Sequence, residues 1–520
     1  MKKTLKTPIF FGILVIGAAF LITSCDIVSD IIDGIQTDNN NDNNNSDNND
    51  DNPKPTEDVS TVKTKFNNHY VYKQTNECSV TPSTGDVNIL VVPIQFKDKT
   101  AFNTNQLNAI NASFNGNKEN GENDYWESTA SFYKKSSYGK LNFNFDICDP
   151  YVPSISSSKF ESITDDYATE TTTLLKELNS NSPTIDGKKV NYSDSRYDSD
   201  KDGYIDGVWL IYNEPNKNKV GDYYWAYTSY LDSANSIGKF STYANCAISF
   251  LYDGSSKGYD AHTIIHETGH MMGLDDYYSY ELSNNYGYCG GLDMMDLNIG
   301  DHNSFSKWCL DWIEPYVVNA KNATVELESL VESGKALVIP TNSFNNSAFS
   351  EYLIVDYYTP TSLNELDSSS AYLGYYPRNY LKEGIRVWHV DSRIIEIKAK
   401  LLQSGNVTYT PGSYLSPTSS TIPEYKATSN TTATYYTIAN SNTPSYNSVD
   451  ENFALVELVS KNRSTLYNSR AAANDTDLLH SGDTFKYSTK KGSFNDGTSS
   501  NVTIKVDSIN NGKATITISR

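Results

Sequence analysis

His266-Glu267-Thr268-Gly269-His270-Met271-Met272-Gly273-Leu274-Asp275-Asp276 contains the spacing H-E-x-x-H, which on a helix brings two imidazoles to one face and sets a carboxylate beside them. With 7 histidines in 520 residues, chance supplies only ~0.004 such occurrences, so the spacing carries information. Neutral imidazole nitrogens bind zinc, and a catalytic site takes three protein ligands and leaves one position open for water. His266 and His270 supply two of the three. Glu267 faces the same cleft as a proton acceptor and not as a ligand. Gly273 lets the helix stop and turn, because glycine adopts φ > 0 freely. Asp276, three residues further on, can then return to the metal, with Asp275 competing for that third place. Ile264, Ile265, Thr268, Met271 and Met272 form a core-facing stripe on the same helix, for which Asp260 is the expected N-cap. His262, one turn before His266, is either a structural histidine or a group lining the cleft.

The pattern H-E-x-x-H-x-x-G-x-x-D resembles the metzincin metallopeptidases in the version whose last ligand is aspartate. Gly291-Leu292-Asp293-Met294-Met295-Asp296 lies where those enzymes carry a methionine turn beneath the metal, and the register of the following residues favours Met295 over Met294. The stretch from Asp293 to Pro315, with Val87–Phe96 and Ser137–Leu141, is similar to the immune inhibitor A family of bacterial secreted peptidases. The resemblance covers the middle half of the chain well and the C-terminal part loosely. It implies a metzincin-like α/β (α+β) catalytic domain and a zinc-dependent endopeptidase with His266, His270 and Asp276 as ligands and Glu267 as base.

The N-terminus indicates where such chemistry takes place. Met1-Lys2-Lys3 and Lys6 precede an apolar stretch from Ile9 to Ile22, the pattern of an export signal too short for a confident membrane span. Leu21-Ile22-Thr23-Ser24-Cys25 resembles a bacterial lipobox, which makes Cys25 the lipidated first residue of the mature chain. Residues 38–51 are almost only Asn and Asp and cannot offset the entropy of ordering, so 25–57 reads as a lipidated cysteine followed by a solvated tether. A net charge of -21 leaves no basic surface for nucleic acid. The expected partners are protein or peptide substrates and, through the lipid anchor, a membrane. The remaining cysteines, Cys78, Cys148, Cys246, Cys289 and Cys309, form an odd set without C-x-x-C spacing. Cys78 has no surrounding motif that would make it a latency thiolate.

Asp198-Ser199-Asp200-Lys201-Asp202-Gly203-Tyr204-Ile205-Asp206 alternates carboxylates around a glycine, like the first nine positions of a calcium loop. Asp198, Asp200, Asp202 and Asp206 with the Tyr204 carbonyl can enclose a structural calcium ion. Trp209 stands where an EF-hand has its bidentate glutamate, and Gly207–Tyr212 reads as a buried strand leaving the loop.

Four segments follow from these landmarks: a signal peptide over 1–24, the lipidated cysteine and tether over 25–57, a catalytic domain over 58–318 and a β-rich domain, expected as a β-sandwich, over 319–520. Strands are expected at 87–96, 141–147 and 207–212 and helices near 124–135, 166–180 and 260–272. Beyond Pro315 the β-rich runs include 352–357, 384–390, 502–506 and 514–518, with Asn511-Gly512 as a hairpin turn between the last two. His389 on its apolar strand reads as a core residue, and 403–449 as a long surface excursion. The sequence-level expectation is metal-assisted peptide hydrolysis, with Tyr277, Tyr278 and Tyr288 as candidate oxyanion donors. The alternative is a catalytically inactive surface binding protein, an adhesin that keeps the metal site for structure.

Overall fold

Alternation of apolar residues in Gly85–Ile94 sends side chains to two different cores, and this strand organises the first half of the molecule. The computed structural model describes residues 59–61, 68 and 79–520 apart from 117–125, 164–166, 217–222, 232–236, 253–258, 281–285, 402–406, 416–425, 430–431, 444–453, 463–465 and 490–491. The expected export signal, Cys25, the expected tether and Cys78 lie outside the described residues. Strands β1 (Gly85–Ile94), β2 (Leu141–Ile147), β3 (Val208–Tyr212), β4 (Tyr227–Tyr230) and β5 (Thr242–Ala247) make a five-stranded sheet in the order β2-β1-β3-β5-β4. Strands β1, β2, β3 and β5 run parallel, and β4 closes one edge antiparallel to β5.

Helices α1 (Thr104–Asn115), α2 (Thr129–Ser136), α3 (Tyr167–Ser180) and α4 (His262–Met271) cover this sheet. Val87, Ile89 and Val91 share a core with α1, α2 and α4, whereas Leu90, Val92 and Ile94 meet Leu174, Leu175 and Leu178 of α3. A parallel strand buried on both faces is apolar almost throughout, which is why β3 reads Val-Trp-Leu-Ile-Tyr without polar alternation. Helix α1 was not expected from the sequence. Its start is set by a capping box in which Asn103 accepts from Gln106 N–H and the Gln106 side chain returns to the Asn103 backbone.

The second half is built of sheets. A six-stranded sheet runs in the order Val59–Thr61, Tyr316–Val318, Ala336–Pro340, Glu351–Tyr358, Gly384–Asp391, Val456–Leu458. A four-stranded sheet of Asn322–Glu328, Lys513–Ser519, Val502–Asn510 and Thr484–Tyr487 packs on one face of it. Leu337, Ile339, Leu353, Val355, Ile385 and Val387 point into that interface. Their neighbours Val338, Tyr352, Ile354, Trp388 and Val390 point the other way, into the core that also holds Ile264, Ile265, Met294 and Met295. The two central strands are therefore buried along their whole length. One continuous core thus spans residues on both sides of position 318, and Tyr316–Val318 itself belongs to the six-stranded sheet.

The molecule is a mixed α/β protein with a β-rich second half. Asn511 and Gly512 both have positive φ, 52° and 75°, in a tight hairpin that pairs Asn510 with Lys513. Within 403–449, expected to be an irregular excursion, the chain instead forms Val407–Tyr414, Lys426–Ser429 and Thr432–Ile438, which pair around Ile394–Leu401 in a further four-stranded sheet. Threonine and tyrosine, read as loop formers, are strand formers when a neighbouring strand is present.

Candidate metal centre

Helix α4 is fully buried and carries three histidines with different surroundings. Its cap position is Ala261, while the Asp260 carboxylate accepts the His262 N–H at 3.0 Å, one residue away from the cap assignment expected for Asp260. Gly273, at φ 98°, reverses the chain as expected and delivers the segment 274–280 back across the helix.

The ring orientations of His266 and His270 are fixed by the backbone. His266 Nδ1 donates to Met294 O at 2.8 Å, and His270 Nδ1 donates to Leu274 O at 2.6 Å. A carbonyl only accepts, so in the neutral rings the proton sits on Nδ1 and Nε2 presents a lone pair. The two Nε2 atoms lie 3.1 Å apart, and Asp276 Oδ1 lies 3.1 Å from each. With both rings neutral, three acceptors converge, an arrangement that is repulsive until a cation or a bound proton occupies it. Ligand atoms around a tetrahedral zinc at 2.0–2.1 Å lie about 3.3 Å apart, so the donor set fits that ion. Asp276, and not Asp275, joins the two histidines.

The protein groups alone respond to this crowding. Burial by itself lowers the basicity of His270, but the Asp276 carboxylate outweighs it and pushes the ring up to about 10. Burial likewise opposes ionisation of Asp276, yet His270 and His266 hold its carboxyl well below the usual range. Burial raises Glu267 above an ordinary glutamate, against the pull of His270 and His266. Its Oε2 accepts from Thr228 Oγ1 of β4 at 3.0 Å, and the same hydroxyl lies 2.8 Å from Glu267 O. The Tyr230 hydroxyl, also on β4, donates to His270 O. The edge strand therefore holds Glu267 and His270 together.

Both methionines at 294–295 are buried, and they have different roles. Met294 supplies the carbonyl that orients His266, while Met295 packs its sulfur under the helix against Gly269. A Cβ on Gly269 would come within 2.6 Å of Met295 Sδ, so the glycine between the two histidines admits the methionine expected there. The turn is held by Asp293, which accepts from Met295 N at 2.8 Å and from Asn303 N at 2.9 Å.

Of the tyrosines expected to serve as oxyanion donors, Tyr277 is buried with its hydroxyl 2.6 Å from Ser306 Oγ, and Tyr288 stacks on Tyr467. Tyr278 remains beside the site, its ring stacked near that of His266 at 6.4 Å. Tyr280, not singled out from sequence, donates to Asp276 Oδ2 at 2.5 Å.

His262 is structural. Its ring lies between Trp126 and Tyr372, each with a centroid 4.0 Å away, and its nitrogens face Asp260 at 2.7 Å and Asp367 at 3.4 Å. Burial lowers its basicity, but the two carboxylates prevail and push it up to about 9. Asp367 and Tyr372 come from the β-rich half, so this stack joins that half to the start of α4. His389 is a buried core residue bonded to Glu351 at 3.0 Å. Cys148, Cys246, Cys289 and Cys309 are buried free thiols.

The acidic loop brings Asp198, Asp200 and Asp202 within 4.8 Å of one another. Lys201 and Gly203 have φ 60° and 92°, and Gly203 N donates to Asp198 Oδ2 at 3.2 Å. Asp206 is buried behind the loop, where its carboxylate accepts Ser199 N–H at 3.0 Å and burial pushes it up to about 7. Tyr204 donates its N–H to Asp202 Oδ1 at 3.0 Å. Three of the five expected donors are thus gathered, and Asp206 is committed to the loop backbone.

Thr228, Tyr280, Trp126, Asp367 and Tyr372 escaped sequence reading because each lies far along the chain from the residue it touches or carries no motif of its own. Tyr280 had only its spacing of four from Asp276 as a signal. Comparison with protein-family models and with curated proteins finds no match to this chain.

Proposed function

We propose that the protein is a zinc-dependent endopeptidase, similar to the immune inhibitor A peptidases, that hydrolyses peptide bonds of proteins outside the cytoplasm. The observation that carries this reading is the convergence of His266 Nε2, His270 Nε2 and Asp276 Oδ1 at 3.1 Å, with both Nδ1 protons committed to carbonyls. Those three residues would hold the ion, and two neutral imidazoles with one carboxylate leave it a net positive charge. Zinc bound there supplies Lewis-acid polarisation of the scissile carbonyl and brings the pKa of water near 7. Glu267 accepts the proton of the attacking water and returns it to the departing amine. Burial raises its basicity above that of an ordinary glutamate, which favours accepting that proton. Thr228 keeps the Glu267 carboxylate oriented on the side of β4.

The acidic loop serves as a structural calcium site at the entry to β3, and Cys25 carries a lipid that tethers the enzyme to the bacterial membrane. Among the described residues no helix is long and apolar enough to cross a membrane. The decisive comparison is hydrolysis of casein by the wild-type chain and by Glu267→Gln, each loaded with zinc. Chelator-sensitive hydrolysis by the first alone supports the reading, and equal hydrolysis by both removes Glu267 from the mechanism.

A further inference from the structure

We propose that Tyr280 is a positioning residue for the third metal ligand: its hydroxyl holds Asp276 Oδ2 so that the carboxylate offers a single oxygen, Oδ1, beside His266 and His270. The inference rests on the zinc reading above and concerns how tightly the site holds its ion.

A carboxylate can grip a cation through one oxygen or two, and rotation about its χ2 exchanges them at small cost. In this site the two oxygens are already distinguished. Oδ1 is equidistant from the two imidazole nitrogens at 3.1 Å, whereas Oδ2 receives the Tyr280 hydroxyl at 2.5 Å. An ionised carboxylate has only acceptors, so the phenol is the donor, and its bond is charge-assisted.

The phenol is itself held from several sides. Tyr280 N donates to Thr443 Oγ1 at 3.1 Å, and its ring packs edge-on against Tyr278 at 5.3 Å. Asn442 Nδ2 donates to Tyr277 O at 2.9 Å, while Asn442 Oδ1 accepts Val456 N–H at 3.0 Å. The segment that carries the third ligand is thus fastened to the β-rich half at two consecutive residues, Asn442 and Thr443. Tyr280 transmits that support to Asp276, and the β-rich half becomes part of the metal site without contributing a ligand.

The test is the zinc dissociation constant of the full-length chain, read by competition with a chromophoric chelator, for wild type, Tyr280→Phe and Thr443→Val. Tyr280→Phe keeps the ring and removes only the donor. Expected are a zinc affinity lower by about 10- to 100-fold in Tyr280→Phe and a smaller loss in Thr443→Val. Wild-type zinc affinity in Tyr280→Phe overturns the proposal. Intact affinity with a collapsed kcat at saturating zinc overturns it too, because the phenol then acts on the substrate. Failure of the wild-type chain to bind zinc overturns the zinc reading itself, an outcome distinct from the other two.

Discussion

Among the described residues, two places bring three metal-ligand side chains within 4.8 Å, and they differ in almost every other respect. At His266, His270 and Asp276 the donors come from a buried helix and the segment after Gly273, each is oriented by a second bond, and with neutral rings their lone pairs meet at one point. At Asp198, Asp200 and Asp202 the donors come from one surface turn, and Asp200 is exposed. That turn satisfies part of its own charge with backbone N–H groups of Gly203, Tyr204 and Ser199. The contrast teaches that a ligand set is defined less by which residues gather than by whether anything else can satisfy them. The first cluster has spent its alternatives, and the second retains several.

The largest expected effect separates the two clusters outright. His270→Ala removes one of three zinc donors and lowers zinc affinity by about 10³-fold, whereas Asp200→Asn leaves zinc binding unchanged; competition titration of both variants checks this. Equal losses would erase the distinction.

Next comes the His262 stack, which packs against the start of α4. Its ring is raised from 6.5 to about 9 in the folded protein. The folded state therefore holds that proton more tightly than the unfolded chain. The resulting stability is fully present below pH 6.5 and is lost as pH rises through about 9, a change of about 3 kcal/mol. Denaturant unfolding of wild type and His262→Phe at pH 6 and pH 9 checks the sign: the wild type loses stability over that interval and the variant loses less.

Gly269→Ala is expected to be milder. The new Cβ meets the flexible end of Met295, so a destabilisation of about 1 kcal/mol, read by thermal unfolding, should accompany a few-fold weaker zinc affinity. The smallest effect belongs to the acidic loop: added calcium should raise the thermal midpoint by a few degrees, and Asp200→Asn should abolish the rise.

Much of the His266, His270 and Asp276 cluster was legible in the sequence because its spacing is local. His266, Glu267 and His270 lie within one helical turn and a half, and Gly273 announced the reversal that lets Asp276 return. The parallel strands β1, β2 and β3 were legible for a similar reason, since burial on both faces leaves a continuous apolar run. What stayed hidden depends on contacts between distant segments. Nothing in Thr228 or Tyr280 marks it as a partner of Glu267 or Asp276, and only the fold places Asp367 and Tyr372 against His262. The strands within 403–449 were missed because threonine and tyrosine pattern equally well as loop until a partner strand is supplied. The core shared across position 318 was hidden in alternate residues of Glu351–Tyr358 and Gly384–Asp391, whose two faces serve two different neighbours.

The most direct measurement is anomalous scattering at the zinc edge from crystals of zinc-loaded Glu267→Gln. The expected result is one peak bonded to His266 Nε2, His270 Nε2 and Asp276 Oδ1, in a protein that no longer cleaves casein. A peak at the Asp198–Asp202 turn instead, or none between the two histidines, would contradict the assignment of the buried cluster as the zinc site.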